Sequence, residues 1–165
     1  IIPEFNLYEE FWKIYTKSDA VPPLYVSEEG FIERSIVCGS SCIEGTVVNS
    51  VIGAGVTVGK GAVVRDSIIM KNTVVGAGCR VDKAIIAEEV RIGENCVLGT
   101  GENVPNRVNP KVYSFALVPV GEITVIPSGV QIGLNTAVSG RTEREDYPNG
   151  VLESGGTLIK AGDRA

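Results

Sequence analysis

The same phrase returns every seventeen residues. Val47, Val64 and Val81 are 17 apart, as are Ile52, Ile69 and Ile86, and Val58, Val75 and Ile92 keep the same interval. Three phases sharing one period mark a solenoid, in which each repeat buries its apolar side against the next copy. Within each period runs a finer rhythm near six. An aliphatic residue is followed by Gly or another small residue, with a small or β-branched residue four places on, as in Ile52-Gly53-Ala54-Gly55-Val56-Thr57 and Val75-Gly76-Ala77-Gly78-Cys79-Arg80.

A period of six fits neither a helix at 3.6 nor a simple two-residue alternation. It fits a chain wound into a triangular coil, one short strand on each side and a corner after each strand. Coils then stack by parallel backbone pairing, roughly 4.8 Å further along the axis each time. The aliphatic residue points into the prism, β-branched residues suit the strands, and Gly permits corners with positive φ. Two sides of six residues and one of five give the observed 17, the short side being Val64 to Ile68 or Val81 to Ile85. The predicted fold is all-β: a parallel β-helix, or hexapeptide-repeat solenoid, with short non-helical caps at both ends.

The rhythm breaks over residues 99–119, where Pro, Asn and Gly accumulate, and resumes in phase at Val120, Ile126, Ile132 and Val138. That pattern predicts a looped excursion from one continuous solenoid. The expected organisation is a linker or cap over 1–30, the β-helix over 31–138, and a C-terminal cap or tail over 139–165. The aromatic-rich start and the polar tail are expected to close the open β ends.

The formal charge of −5 provides no clustered basic surface for nucleic acid or anionic lipid. No apolar run approaches the roughly 20 residues of a membrane-spanning helix, and a cytoplasmic protein is expected. The chain starts at Ile1, which predicts a fragment of a longer protein. Cys38, Cys42, Cys79 and Cys96 form no CxxC pair. Cys79 and Cys96 are themselves one period apart, which predicts small inward-facing side chains.

Chemistry is conspicuously missing. There is no His, the usual general base and metal ligand, and no thiolate or carboxylate cluster replaces it. No catalytic residue, metal site or cofactor site is therefore expected. The text "GAGVTVGKG" is not a phosphate loop, since Gly61 follows Lys60 where Ser or Thr is required. The carboxylate pair Glu88-Glu89 is expected on a solvated corner. Lys60, Arg65, Lys71, Arg80, Lys83 and Arg91 are expected on the outer surface.

The segments "FWKIYTKSDAVPPLYV", "SIVCGSSCIEGTVVNSVIGAGVTVGKGAVVRDSIIM" and "AIIAEEVRIGENC" resemble the C-terminal left-handed β-helix domain of bacterial glucose-1-phosphate adenylyltransferase, also called ADP-glucose pyrophosphorylase. The likeness covers roughly residues 11 to 138. It implies a left-handed coil and a parent enzyme that joins ATP and glucose 1-phosphate into ADP-glucose and pyrophosphate, for glycogen synthesis. It places that chemistry in an N-terminal nucleotidyltransferase domain absent from this sequence, so that the fragment itself is non-catalytic.

The resemblance further implies packing on that N-terminal domain, homo-oligomer assembly and transmission of effector signals. Some bacterial members take basic residues of this domain into a sugar-phosphate effector site. Here the positions before the "IPSG" and "RIGEN" hexads carry Glu122 and Glu88, which argues against a fructose-bisphosphate-type effector. Arg141 and Arg144, beside the last coil, are the candidates for contact with a small anionic effector. Two other readings remain open: a freestanding hexapeptide-repeat acyltransferase or sugar-nucleotide enzyme that works without His, and a passive spacer.

Overall fold

A computed structural model describes Phe11 and residues 20–160. Twenty short strands, each of two to four residues, form three parallel sheets, and each sheet is one side of a coil. The first face stacks six strands, from Tyr25–Val26 through Cys42–Ile43, Thr57–Val58, Val74–Val75 and Arg91–Ile92 to Val125–Ile126. The second stacks seven, from Phe31–Glu33 to Val151–Leu152, and the third seven, from Ile36–Val37 to Thr157–Ile159. The chain is thus an all-β solenoid, as the period predicts.

Register explains the repeat directly. Val47 pairs with Val64 and Val64 with Val81, while Ile52 pairs with Ile69 and Ile69 with Ile86. Identical phases are therefore neighbours one rung apart. All six of these side chains are buried, and with Val58, Val75 and Ile92 they fill one continuous core. Cys79 and Cys96 join it beneath Ala62, buried as expected of their shared phase.

Two departures from the uniform period have simple causes. The opening coil is two residues short, since Cys42 pairs with Thr57 fifteen positions on, whereas Thr57 pairs with Val74 seventeen on. The saving lies in the corner Glu44-Gly45, where a Cβ on Gly45 would collide with the Ala62 carbonyl of the next coil. Later, Ile86 pairs with Val120, thirty-four positions on. The excursion consumes a whole repeat, which is why the hexads return in phase although one coil is missing.

That excursion is tied down rather than loose. Buried Asn106 donates from Nδ2 to the Asn135 and Gly156 carbonyls at 2.8 and 3.2 Å, and its Oδ1 accepts from the Val108 and Asn109 amides. Buried Asn135 answers from the solenoid, donating to Asn103 Oδ1 and the Val104 carbonyl and accepting from the Ala116 amide, each at 2.7 Å. Two carboxamides thus satisfy backbone groups that an irregular segment would otherwise bury unpaired.

Parallel pairing reaches past the expected limits of 31 and 138. Tyr25–Val26 pairs with Cys42–Ile43 at one end, and Val151–Leu152 and Thr157–Ile159 pair with the rungs below them at the other. The segment expected as a C-terminal cap therefore winds a further coil through residue 160. Its hexads are hidden because two 3₁₀ turns, Arg144–Asp146 and Pro148–Gly150, replace one strand. Buried Tyr147 fills the prism there, its hydroxyl 2.7 Å from Thr142 Oγ1. The segment 1–30 lies largely outside the described residues.

Along one corner a serine recurs in phase. Ser35 Oγ accepts from the Ser50 amide at 3.0 Å, Ser50 Oγ from the Ser67 amide at 3.2 Å, and Ser67 Oγ from the Ala84 amide at 3.0 Å. The hydroxyl supplies the bond that the turning backbone cannot. Ser67→Ala leaves the buried Ala84 N–H without an acceptor and is expected to cost about 1–3 kcal/mol. Ile69→Ala, which empties the prism, is expected to cost about 2–5 kcal/mol. Urea unfolding of both variants checks the pair.

Candidate functional site

The structure separates the two arginines singled out in the sequence. Arg144 lies on the outside of the terminal coil and donates from Nη1 to the Ser128 carbonyl at 2.9 Å, clamping the last turn onto the corner beneath it. Arg141 follows Gly140, is exposed, and makes no ion pair or side-chain hydrogen bond with described residues. Its backbone bridges to Val125, which pairs with Arg91. Arg91 and Arg141 therefore point out of one face two rungs apart, roughly 10 Å along the stack. Sequence spacing did not bring them together, because the terminal coil breaks the 17-residue period.

The acidic side of this end is internally compensated. Asp146 Oδ2 accepts from the Glu143 amide at 2.7 Å and pairs with Lys160 Nζ at 2.5 Å. The Lys160 hydrogen bond, then the Glu143 amide, holds the Asp146 carboxyl below its ordinary 3.8. The same bond raises the Lys160 ammonium above its ordinary 10.5. Glu88 of the expected corner pair bridges to Lys71 at 3.0 Å, and Glu89 occupies the left-handed corner at φ 60°.

Nothing among the described residues gathers into catalytic machinery. No three His, Cys, Asp or Glu side chains are placed to hold a metal ion there. The Cys79 thiol bonds to the Gly93 carbonyl at 2.9 Å, and its hydrogen bond with Cys96 together with burial pushes it far above the ordinary thiol range. It remains an inert core group.

The surface feature that sequence reasoning missed is the third face. None of its seven strands contains a charged residue, whereas the first face carries Arg91 and the second carries Glu33, Arg65, Arg80 and Asp82. Ile36, Val51, Ile68, Ile85 and Pro119 follow one another in register on its outside. Ile36, Val51 and Ile68 are each about 40% exposed. The looped excursion extends this stripe, since Val112, Tyr113 and Phe115 meet Ile85, Leu117 and Pro119 around a pocket of about 140 Å³. A signal was present in the sequence: "IV", "VI", "II" and "II" double the aliphatics at the first four strands on this side. Consecutive apolar residues in a strand mean that both sides of the sheet are to be covered.

A stacked triangular coil of six-residue sides, with no catalytic cluster among its described residues, defines a hexapeptide-repeat domain. The model for GlmU-like C-terminal hexapeptide domains matches residues 24–109, and the chain belongs to that family. Its curated relatives are glucose-1-phosphate adenylyltransferases. That of Lachnospira eligens is 57% identical over 163 residues, which are 99% of this chain and 38% of that protein. Those of Acetivibrio thermocellus and Thermotoga maritima are 40% and 44% identical, covering 98% and 96% of this chain and 38% and 37% of their own lengths. The chain thus spans a little over a third of these relatives. Among solved structures, the acetyltransferase domain of PglB from Neisseria gonorrhoeae, in complex with acetyl coenzyme A, aligns over 84% of this chain and 55% of its own. Its TM-score is 0.34 at 20% identity, too slight a likeness to carry an argument.

The Asp146–Lys160 pair predicts how the last coil responds to pH. A depressed Asp146 pKa contributes stability that is present above its unfolded value and lost as pH falls through the lower folded value. A raised Lys160 pKa contributes stability that is present below its unfolded value and lost as pH rises through the higher folded value. Amide exchange at Tyr147 and Lys160, whose N–H groups bond to the Arg144 and Ser139 carbonyls, is expected to show protection on a plateau between these limits. Asp146→Asn is expected to remove both edges of the plateau, while edges that persist in the variant would assign them to other groups.

Proposed function

We propose that this chain is the regulatory and assembly β-helix domain of a cytoplasmic glucose-1-phosphate adenylyltransferase, which makes ADP-glucose from ATP and glucose 1-phosphate. The charge-free third face carries the reading. An aliphatic column on a rigid sheet, continued by the exposed Val112 and Phe115 of the loop, is a surface built to be covered. Its natural cover is the N-terminal nucleotidyltransferase domain that the relatives' greater length supports. A homo-oligomer would then form through the remaining faces. A solenoid suits this work because its sheets move as one body, so a contact at one end is transmitted to the other.

Within this reading a small anionic effector meets Arg141. The free guanidinium of Arg141 and its neighbour in the stack, Arg91, offer bidentate donors, whereas Arg144 is engaged with Ser128. The geometry supports Arg141 over Arg144 for effector contact and gives Arg144 a structural part.

In the full-length enzyme, Ile68→Asp and Ile85→Asp are expected to separate the domains, raising protease sensitivity between them and lowering kcat by at least about tenfold, consistent with losing a well-buried anchor. Wild-type behaviour of both variants would exclude the third face as the contact. Arg141→Ala is expected to raise the effector concentration for half-response about five- to tenfold. Arg144→Ala is expected to lower the melting temperature and leave that concentration in place. An effector response unchanged by replacing both arginines would remove this site.

A further inference from the structure

Away from the third face and from Arg141, the base of the loop and the last two rungs of the second face border an open pocket of about 400 Å³. That is within the size range of small-molecule sites. Its formation follows from backbone geometry. Gly99, at φ 87°, lifts the strand Val97–Thr100 out of register with Gln131–Gly133, and the loop departs from this bulge. The loop then returns over the corner Ser154-Gly155, where the Arg107 amide bonds to the Gly155 carbonyl at 2.9 Å. A Cβ on Gly155 would lie 2.6 Å from the Pro105 carbonyl oxygen, so only Gly admits this approach. The wall is rigid, because Asn135 holds Asn103 and Val104 while Asn106 anchors the next turn.

The lining is chemically mixed in a particular way. Val104 and Val151 give an apolar floor, with Leu152 packed inward at its edge, and Thr100, Gln131 and Glu102 surround it. Among the described residues, the Gln131 carboxamide, the Thr100 hydroxyl and the Glu102 carboxylate have no hydrogen-bond partner. Arg107, the cation at the rim, is engaged by Glu153 at 3.1 Å. An anionic ligand would therefore meet an uncompensated carboxylate and no free cation. A small ammonium ion would be drawn to that carboxylate but would leave the apolar part of the lining uncovered.

The geometry points to a binding site for an uncharged, hydroxyl-rich molecule of monosaccharide to disaccharide size. A pyranose presents an apolar C–H face to Val104 and Val151. Its vicinal hydroxyls donate to the Glu102 carboxylate and exchange hydrogen bonds with the Gln131 carboxamide and Thr100 hydroxyl. The site is separate from the surface proposed for domain docking, and its occupation does not rest on that reading.

Isothermal titration of the 165-residue chain with glucose, maltose, glucose 1-phosphate and putrescine tests the assignment. Glucose or maltose is expected to saturate with a Kd of about 1 mM, and glucose 1-phosphate and putrescine to bind at least about tenfold more weakly. Val151→Phe fills the cavity from the outer side of its strand, and Glu102→Gln removes the charge and one of the two acceptor oxygens of an exposed loop residue without touching the core. Each is expected to weaken the sugar at least about fivefold, while Thr46→Phe, five rungs away on the same face, leaves it unchanged. Failure of both sugars to saturate below about 50 mM, tighter binding of the phosphate or the amine, or sugar binding indifferent to Glu102→Gln would each overturn it.

Discussion

Everything in this molecule depends on the parallel pairing of each coil with the one before it. Because a rung has no partner beyond its two neighbours, its inward residues must fill the same triangular section as theirs. Its corner must also turn in the same place. A volume error at one rung is passed to the next through the backbone ladder. This constraint holds Val47, Val64 and Val81 to one residue type and drives left-handed corners into register, with Arg34, Asn49, Asp66 and Lys83 all at φ between 46° and 50°. Non-glycine residues tolerate that strain because the ladder on both sides over-determines it. At one step Asn49 also reaches Asp66 Oδ1 at 2.6 Å, where a short polar side chain suits the left-handed region.

The same constraint divides structural from functional residues. Inward positions answer only to the prism, so their identity says nothing about activity. Outward positions are free, and their differences among faces are therefore informative. The first two faces mix charged, polar and aliphatic residues, as a solvated surface does. The third accepts none of the charges and presents aliphatics in unbroken succession from Ile36 to Ile85. Solvation cannot explain that uniformity, and the prism does not require it.

The solenoid was legible in the sequence because its cause is periodic, and a period survives without knowledge of the fold. What it hid are features that act once. The two-residue deletion at Glu44-Gly45 looks like ordinary variation until the Ala62 carbonyl is seen against Gly45. The terminal coil escaped notice because 3₁₀ turns and Tyr147 replace the hexad that would have revealed it. Asn106 and Asn135 read as loop residues, yet each is buried and makes bonds across about 30 positions of sequence. Arg91 and Arg141 share a face only because a loop and a short last coil lie between them, a sum no fixed period predicts.

A rigid solenoid with a pinned loop also limits how a signal can travel through it. Its strands do not slide, since a shift by one residue would turn every inward aliphatic to solvent. Its corners do not open without breaking bonds in two coils at once. On the proposed reading, coupling between the end that bears Arg141 and a partner on the third face would require the domain to rock as a unit, or the terminal coil to loosen. The second route is the more accessible. Among the described residues the terminal coil pairs with a coil on one side only, where Arg144 on Ser128 and the loop contacts of Arg107 with Gly155 and Asn106 with Gly156 hold it, while the Lys160–Asp146 pair ties the coil to itself. Its third-face strand, Thr157–Ile159, continues the sheet that carries the aliphatic column. On the proposed reading, an anion held beside Arg141 would bear on the start of the terminal coil, whose third-face strand continues the aliphatic column.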